Sequence, residues 1–308
     1  MSAALDPRRY DVVPITITRD GRWVSATATP TSSPAASLAA ALTLLDGCDV
    51  VLPIVHGPRG EDGSLAAVFD LAGVPYVGSG LRAGALAMDK WTTKLVARAV
   101  GVQTAAGALV TRSSTGAARG TAPVVARPSV AKPVVVKPVA AGSSHGVTRV
   151  DDASDLGAAI KLALILDDRA LVEEFVVGRE IDVAVLERAD GSRLVGPALE
   201  IVVGEGGLFD TGAKYDGSAD FRLPAALSAA ERRELESAAL ALFDALGCAG
   251  VARFDFFLTA DGLVLNEVNT MPGMTEASQV PKMFAAAGVP YAALLDELIL
   301  GAGRARTR

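Results

Sequence analysis

Two stretches toward the C-terminal end carry the residue types best suited to chemistry. Residues 251–258 place Arg253 and Asp255, and residues 263–269 place Asn266, Glu267 and Asn269, each within the alternation of a half-buried strand. The intervening Ala260-Asp261-Gly262 reads as a three-residue hairpin loop with glycine at its last, left-handed position. That loop pairs Thr259 with Leu263, sets Asp255 opposite Glu267 and Arg253 opposite Asn269, and puts all four on one face. A two-residue turn would send the two carboxylates to opposite faces. Two carboxylates and an amide oxygen are hard donors, suited to Mg²⁺ shared with nucleotide phosphates. Arg253, a rigid fork of several donors, suits a developing oxyanion. The plainer alternative is the polar face of an antiparallel sheet. It explains either acid alone, but not Arg, Asp, Glu and Asn together on a strand pair backed by Phe and Leu.

Other candidates are weaker one by one. Lys137 ends the apolar run Val134-Val135-Val136 and leads into Ala141-Gly142-Ser143-Ser144-His145-Gly146. Small residues let backbone N–H groups approach phosphate, and the lysine brings a point charge. The lysine precedes the glycines, so this is not the P-loop order, and such a pattern is often only a turn. Lys90 follows a candidate N-cap, Asp89, on a helix expected to run to Val100, where the helix N-terminus favours anions. Alone it reads as a solvated lysine, just as Glu173 and Glu180, which bracket a strand edge, read as solvated charges. His56 closes an apolar run just before Gly57 and is either a capped core residue or a substrate contact.

The elements that would position these residues alternate between strand-like and helix-like patterns, which indicates an α/β architecture. Residues 50–55 are expected as a strand buried on both faces, followed by a helix over 64–71 stopped by Gly73 and a short strand over 74–77. Strands are expected over 134–137, 170–176 and 181–186. The clearest helix runs from Ser228 to Leu246: Ser228 and Glu231 form a capping box, Leu235, Ala239, Leu242, Phe243 and Leu246 share one face, and Gly247 ends it. Residues 111–132 are poor in large apolar side chains and rich in Ser, Thr, Gly, Ala, Arg and Pro, and read as an exposed connection.

The chain has 308 residues, half of them apolar and many of those alanine, enough for two or three lobes. A net charge of −6 argues against a nucleic-acid surface. No apolar run approaches the roughly 20 residues that span a bilayer, and Met1-Ser2-Ala3-Ala4-Leu5-Asp6 lacks a signal-peptide pattern. Cys48 and Cys248 have no metal-ligand spacing and are expected as two buried thiols in a reducing cytoplasm.

Taken together, His56-Gly57-Pro58-Arg59-Gly60-Glu61-Asp62-Gly63, Met88-Asp89-Lys90, Lys137-Pro138, Gly142-Ser143-Ser144-His145-Gly146, Arg253-Phe254-Asp255 and Leu265-Asn266-Glu267-Val268-Asn269-Thr270-Met271-Pro272-Gly273 make the chain resemble the D-alanine–D-alanine ligases of the ATP-grasp superfamily. The resemblance implies an N-terminal parallel-sheet domain over 1–88, a central ATP-grasp lobe over 89–177 and a C-terminal catalytic lobe over 178–308, α+β in character. It implies Mg²⁺, in two sites and replaceable by Mn²⁺, on Asp255, Glu267 and Asn269. ATP would meet Lys90, Lys137, Ser143, Ser144, Glu173, Glu180 and Asn266, the two glutamates near adenine and ribose. His56, Arg253, Gly273 and Ser278 would hold the amino acids and the tetrahedral intermediate, and Lys214 and Tyr215 would lie on a closing loop, with Ser143 and Tyr215 also in the catalytic set. The implied protein is a cytoplasmic, ADP-forming enzyme of cell-wall precursor synthesis that acts through an acyl-phosphate. Its partners would be D-alanine and ATP, with neither nucleic acid nor membrane, and it would commonly be a homodimer.

This sequence also departs from the family. It opens at Leu5-Asp6-Pro7 in a region that normally follows a strand and a Gly-Gly turn bearing Ser and Glu, which implies either a start placed downstream or a shortened ligase. Gln279 follows Ser278 where an apolar residue is usual near the second substrate. Tyr215 resembles the members that use D-alanine. The alternatives are D-lactate, D-serine or another carboxylate–amine ligase chemistry, and a catalytically impaired nucleotide-binding protein.

Overall fold

The computed structural model describes residues 1–25, 33–112, 133–142, 144–202 and 220–304. Ser143, Lys214, Tyr215 and nearly all of the expected connection 111–132 lie outside them. The chain opens with an antiparallel pair, β1 (Ile15–Ile17) and β2 (Trp23–Ser25), and then α1 (Pro34–Leu45). Ser33 caps α1 by accepting from Ala36 N, with proline at its first helical position. Next come α2 (Ser64–Ala72), α3 (Leu81–Met88) and α4 (Lys90–Ala99). Gly73 stops α2 with a φ of 71°, and Asp89 caps α4 by accepting from Thr92 N at 2.8 Å.

The expected strand over 50–55 is reduced here. Val51 and Tyr76 form one parallel bridge, with Val51 N donating to Pro75 O and Val77 N to Val51 O, both at 2.8 Å. Ile54 is 43 % exposed and the rest of the run half-buried. The burial on both faces that the continuous apolar run suggests is not reached. Val50 and Leu52 pack against one core cluster and Val51 and Val55 against another, but none of them is fully buried.

The middle of the chain forms a four-stranded antiparallel sheet in the order β3 (Gly107–Thr111), β6 (Arg169–Glu174), β4 (Val134–Pro138), β5 (Thr148–Val150). Helix α5 (Leu156–Leu166) covers one side and packs Ala159, Ala163 and Leu164 against Val134, Val136 and Val172. Four residues after β6, β7 (Arg179–Glu187) enters a different sheet. There β10 (Asp220–Arg222), β9 (Leu199–Val202), β7, β11 (Val251–Thr259) and β12 (Gly262–Asn269) follow one another, with β8 (Arg193–Val195) beside β7.

Both faces of this second sheet are covered, and the two-residue strand period sorts its residues between them. Val183, Val185, Phe254 and Phe256 meet α6 (Ala229–Leu246), whose buried residues are the five expected stripe positions. Ala184, Leu186 and Val251 meet α7 (Gln279–Ala286) and α8 (Tyr291–Arg304) through Val280, Met283, Phe284, Leu294 and Leu298. The capping box of α6 is present, with Ser228 N donating to Glu231 Oε2 at 2.7 Å and Glu231 N to Ser228 Oγ at 3.2 Å. Among the described residues no single helix is long and apolar enough to cross a bilayer. Cys248 is buried but Cys48 only half-buried, so the expectation of two buried thiols holds for one.

Candidate active site

The hairpin β11–β12 reaches the expected pairing by an unexpected route. Thr259 pairs with Gly262, not Leu263, so the turn is the two-residue Ala260-Asp261, closed by Asp261 N donating to Thr259 Oγ1 at 3.1 Å. Such a turn alone would place Glu267 on the apolar face. A β-bulge corrects this: Phe256 pairs with Leu265 and Asp255 with Glu267, leaving Asn266 as the extra residue. Leu265 and Val268 therefore both join the Phe254 and Phe256 core, while Glu267 and Asn269 turn to the opposite face.

That face carries a row of acids across three strands, because Asp182 on β7 is the Cα partner of Asp255. Asp182 is 1 % and Asp255 4 % exposed. Arg253 holds Asp255 bidentately, Nε to Oδ1 at 2.7 Å and Nη2 to Oδ2 at 2.8 Å, and its Nε lies 3.6 Å from Asp182 Oδ2. Burial alone would lower the Arg253 pKa. Asp255 and Asp182 overcome that and raise it. Nη1 donates to Gln279 Oε1 at 2.6 Å, at the start of α7.

Helix α4 and the four-stranded sheet bring cations to meet this edge. Lys90, at the first position of α4, lies 3.2 Å from Glu267 Oε2 and donates to Ala141 O at 3.0 Å. Lys137 on β4 lies 2.6 Å from Glu173 Oε2 and donates to Asn266 Oδ1 at 3.3 Å. The other Glu173 oxygen lies 2.6 Å from Lys94 Nζ. Glu173, read from the sequence as solvated, is 3 % exposed, and although burial alone would raise its pKa, Lys137 and Lys94 lower it. Glu180, on β7 two residues before Asp182, shares its face.

A third side comes from the segment 56–63. Val55 N donates to Met271 Sδ at 3.3 Å, docking this segment on the loop after β12. Glu61 Oε2 accepts from Gly57 N at 2.7 Å, and Oε1 lies 3.5 Å from His56 Nδ1. Two of the glycines are dictated by space: a Cβ on Gly60 would lie 1.9 Å from Val55 O, and one on Gly63 2.4 Å from Leu81 O. Gly142, opening the glycine–serine turn, faces Glu61, and Ser144 in that turn adopts a φ of 56°. Ser278 Oγ accepts from Thr275 N at 3.2 Å and lies where a Cβ on Gly273 would meet it. His145 is exposed, its ring nitrogen 3.3 Å from Gly142 O.

The structure thus gathers Lys90, Lys137, Glu173, Asn266 and Glu267 along one edge, with Arg253 and Asp255 beside them. Sequence reasoning gave no role to Asp182, Lys94, Glu61 or Gln279. Asp182 had a signal, a lone acid between Ile181 and Val183 in an apolar strand. Lys94 had almost none, because a lysine on a helix that also carries Lys90 and Arg98 looks solvated.

Among the described residues no group of three or more His, Cys, Asp or Glu is gathered as a metal site. The donor chemistry nonetheless fits a hard divalent cation. Asp255 and Glu267 face each other, each already balanced by a cationic side chain, and Asn269 Oδ1, accepting from Met271 N at 3.0 Å, adds an amide oxygen on that face.

Comparison with known proteins identifies the family. Residues 1–79 fit the family model of the D-ala D-ala ligase N-terminus, and residues 96–300 that of its C-terminus. The D-alanine--D-alanine ligase A of Mesorhizobium japonicum is 40 % identical over 96 % of this chain and 89 % of its own length. The Streptomyces coelicolor D-alanine--D-alanine ligase is 38 % identical over 99 % and 88 %. Among solved structures, the Bacillus anthracis D-alanine--D-alanine ligase complexed with ATP has a TM-score of 0.79 at 26 % identity, covering 99 % of this chain and 90 % of its own. The VanG D-Ala:D-Ser ligase of Enterococcus faecalis has a TM-score of 0.81 at 31 % identity, covering 97 % and 92 %. The architecture is the expected ATP-grasp fold. The chain belongs to the D-alanine–D-alanine ligase family.

Proposed function

We propose that this protein joins two molecules of D-alanine into D-alanyl-D-alanine, converting ATP to ADP and phosphate, for cell-wall precursor synthesis in the cytoplasm. The observation that carries this reading is the meeting of two lobes at one edge: Lys90 and Lys137 from one, Glu267 and Asn266 from the other. ATP has the matching pair of needs, cationic partners for its phosphates and anionic ligands for the cation it carries. Residues 1–88, 89–177 and 178–308 form the substrate, central and catalytic units of this scheme.

Lys90 and Lys137 bind phosphate oxygens, and Ser143 and Ser144 belong to the turn that covers them. Asp255, Glu267 and Asn269 would hold Mg²⁺, which neutralises the phosphoryl oxygens when bound. The carboxylate of the first D-alanine attacks the γ-phosphorus and ADP leaves, giving an acyl-phosphate. The amine of the second attacks the carbonyl carbon, and the C–O bond to phosphate breaks. Arg253, fixed by Asp255 and Gln279, retains donors for the oxyanion formed in that step. His56, Gly273 and Ser278 hold the amino acids, and Lys214 and Tyr215 close over them, keeping water from the intermediate. Glu180 stands toward the nucleotide, and Glu173 acts on it through Lys137.

Phosphate release from Mg·ATP, measured with D-alanine, D-serine, D-lactate and L-alanine in turn, tests this. D-alanine is expected to stimulate release most, with D-alanyl-D-alanine as product. No stimulation by D-alanine overturns the reading, and stronger stimulation when D-alanine is paired with D-serine or D-lactate reassigns the second substrate.

A further inference from the structure

Lys94 is a buried cation for which the reaction above has no direct use. It lies on the inner face of α4, its side chain 2 % exposed, where an ammonium group survives only with close partners. Its Nζ lies 2.6 Å from Glu173 Oε1 and donates to Leu265 O at 3.4 Å. The remaining Glu173 oxygen holds Lys137, and Lys137 reaches Asn266, the residue next to Leu265. The contacts therefore close into a ring: Lys94, Glu173, Lys137, Asn266 and back through the backbone to Leu265. Lys94 comes from α4, Glu173 and Lys137 from the four-stranded sheet, and the last two form the bulge that turns Glu267 toward Lys90.

A structural ion pair would need only one of these lysines. Two ammonium groups on one carboxylate leave a buried surplus of positive charge, which burial disfavours unless an anion completes it. We propose that Lys94 is a positioning residue for ATP: by gripping Glu173 and the Leu265 carbonyl, it fixes Lys137 and the Asn266 bulge in one arrangement and so sets the phosphate-binding lysine against the Glu267 edge. This rests on the reading that Lys137 meets phosphate.

The test uses the full chain with Lys94→Met, which keeps length and removes charge, and Lys94→Arg, which keeps charge. Mg·ATP affinity is measured by calorimetry without amino acid, and KM for ATP, KM for D-alanine and kcat by phosphate release. Lys94→Met is expected to weaken Mg·ATP binding about tenfold, the loss of one charge-assisted contact, and to raise the ATP KM in parallel. The D-alanine KM stays within about twofold, and Lys94→Arg recovers most of the loss. Wild-type ATP affinity in folded Lys94→Met overturns the proposal, as does an equal loss in every constant, the mark of general destabilisation. Should Lys94→Met not fold, Lys94→Gln, which keeps a polar end toward Glu173 while removing the charge, is measured in its place. A tenfold loss of ATP affinity there supports the proposal and wild-type affinity overturns it. ATP binding is measured without amino acid, so a wild type that binds ATP but shows no D-alanine-stimulated turnover would sink the proposed reaction alone.

Discussion

Two buried ionic clusters flank the β11–β12 hairpin and carry opposite surpluses. Where α4 and the four-stranded sheet meet β12, Lys94 and Lys137 outnumber Glu173, two cations to one anion. In the C-terminal lobe Asp182 and Asp255 outnumber Arg253, two anions to one cation. Each cluster thus keeps, out of water, the charge opposite to the part of the ligand it would face, phosphate on one side and a divalent cation on the other. Groups fixed in a poorly polarisable interior act more strongly than the same groups in solvent, and they do not reorganise when the ligand arrives. Burial leaves its mark on the cationic side, where it lowers the Lys94 pKa to about 8 against the pull of Glu173. The comparison teaches that these pairs are arranged for binding more than for stability, since a balanced pair would be cheaper to bury.

Variants that change one cluster at a time should break this symmetry in different constants. The largest effect is expected for Asp255→Asn, which halves the acid count around Arg253. kcat for D-alanine-dependent phosphate release should fall about 10²- to 10³-fold, the usual cost of losing a fixed electrostatic group. A fall of less than about tenfold would deny the acidic cluster its role. Next, Lys137→Gln removes the member of the basic cluster that reaches Asn266. A charge-assisted hydrogen bond contributes about 1.5–3 kcal/mol, so the ATP KM should rise at least about tenfold with the D-alanine KM nearly constant. If the D-alanine KM rose instead, the assignment of the two lobes to two parts of the ligand would be wrong. A smaller effect is expected where neither cluster is touched. Ser228→Ala removes the cap of α6, for about 1 kcal/mol of stability and a few degrees in Tm, with kinetic constants unchanged. Altered ATP kinetics there would mean that α6 transmits to the site.

How much of this was legible in the sequence differs between the same two regions. In the C-terminal lobe the facing of Asp255 with Glu267 and of Arg253 with Asn269 was readable from strand alternation, yet the turn inferred for it was wrong. The alternation from Leu263 and Leu265 to Val268 skips a beat at Asn266, and that skip is the bulge. A shifted turn and a bulge change the register by one residue each, and the errors cancel. In the central lobe Lys137 was legible but its partners were not. The burial of Glu173 and Lys94 depends on β6 lying between β3 and β4 and on α4 packing at β12, long-range choices that local patterns do not encode. At the N-terminal side the apolar run 50–55 suggested burial on both faces, but among the described residues it forms a single bridge, Val51 to Tyr76, and stays half-buried. An apolar run states a need for burial without naming what covers it.

His56 and Glu61 offer the smallest and most specific contrast, because their charges sum to zero and the imidazole is about half exposed. The hydrogen bond His56 donates to Glu61 raises the His56 pKa above its ordinary 6.5, opposed by partial burial and by the nearby Arg253. A histidine whose folded value lies above its unfolded one binds its proton more tightly when folded. The pair's stabilisation is therefore complete below the unfolded value and fades as pH rises through the raised folded value. Thermal unfolding followed from about pH 6 to pH 8 should show wild-type Tm falling toward that of His56→Gln, the gap closing as the imidazolium loses its proton. Exposure keeps the gap small, since solvent screens the pair. Parallel curves would mean that Glu61 serves only Gly57 N, to which it already accepts at 2.7 Å. A difference in ATP affinity that tracked the same pH window would instead tie the 56–63 segment to the nucleotide, and the division between the two clusters would then need a third member.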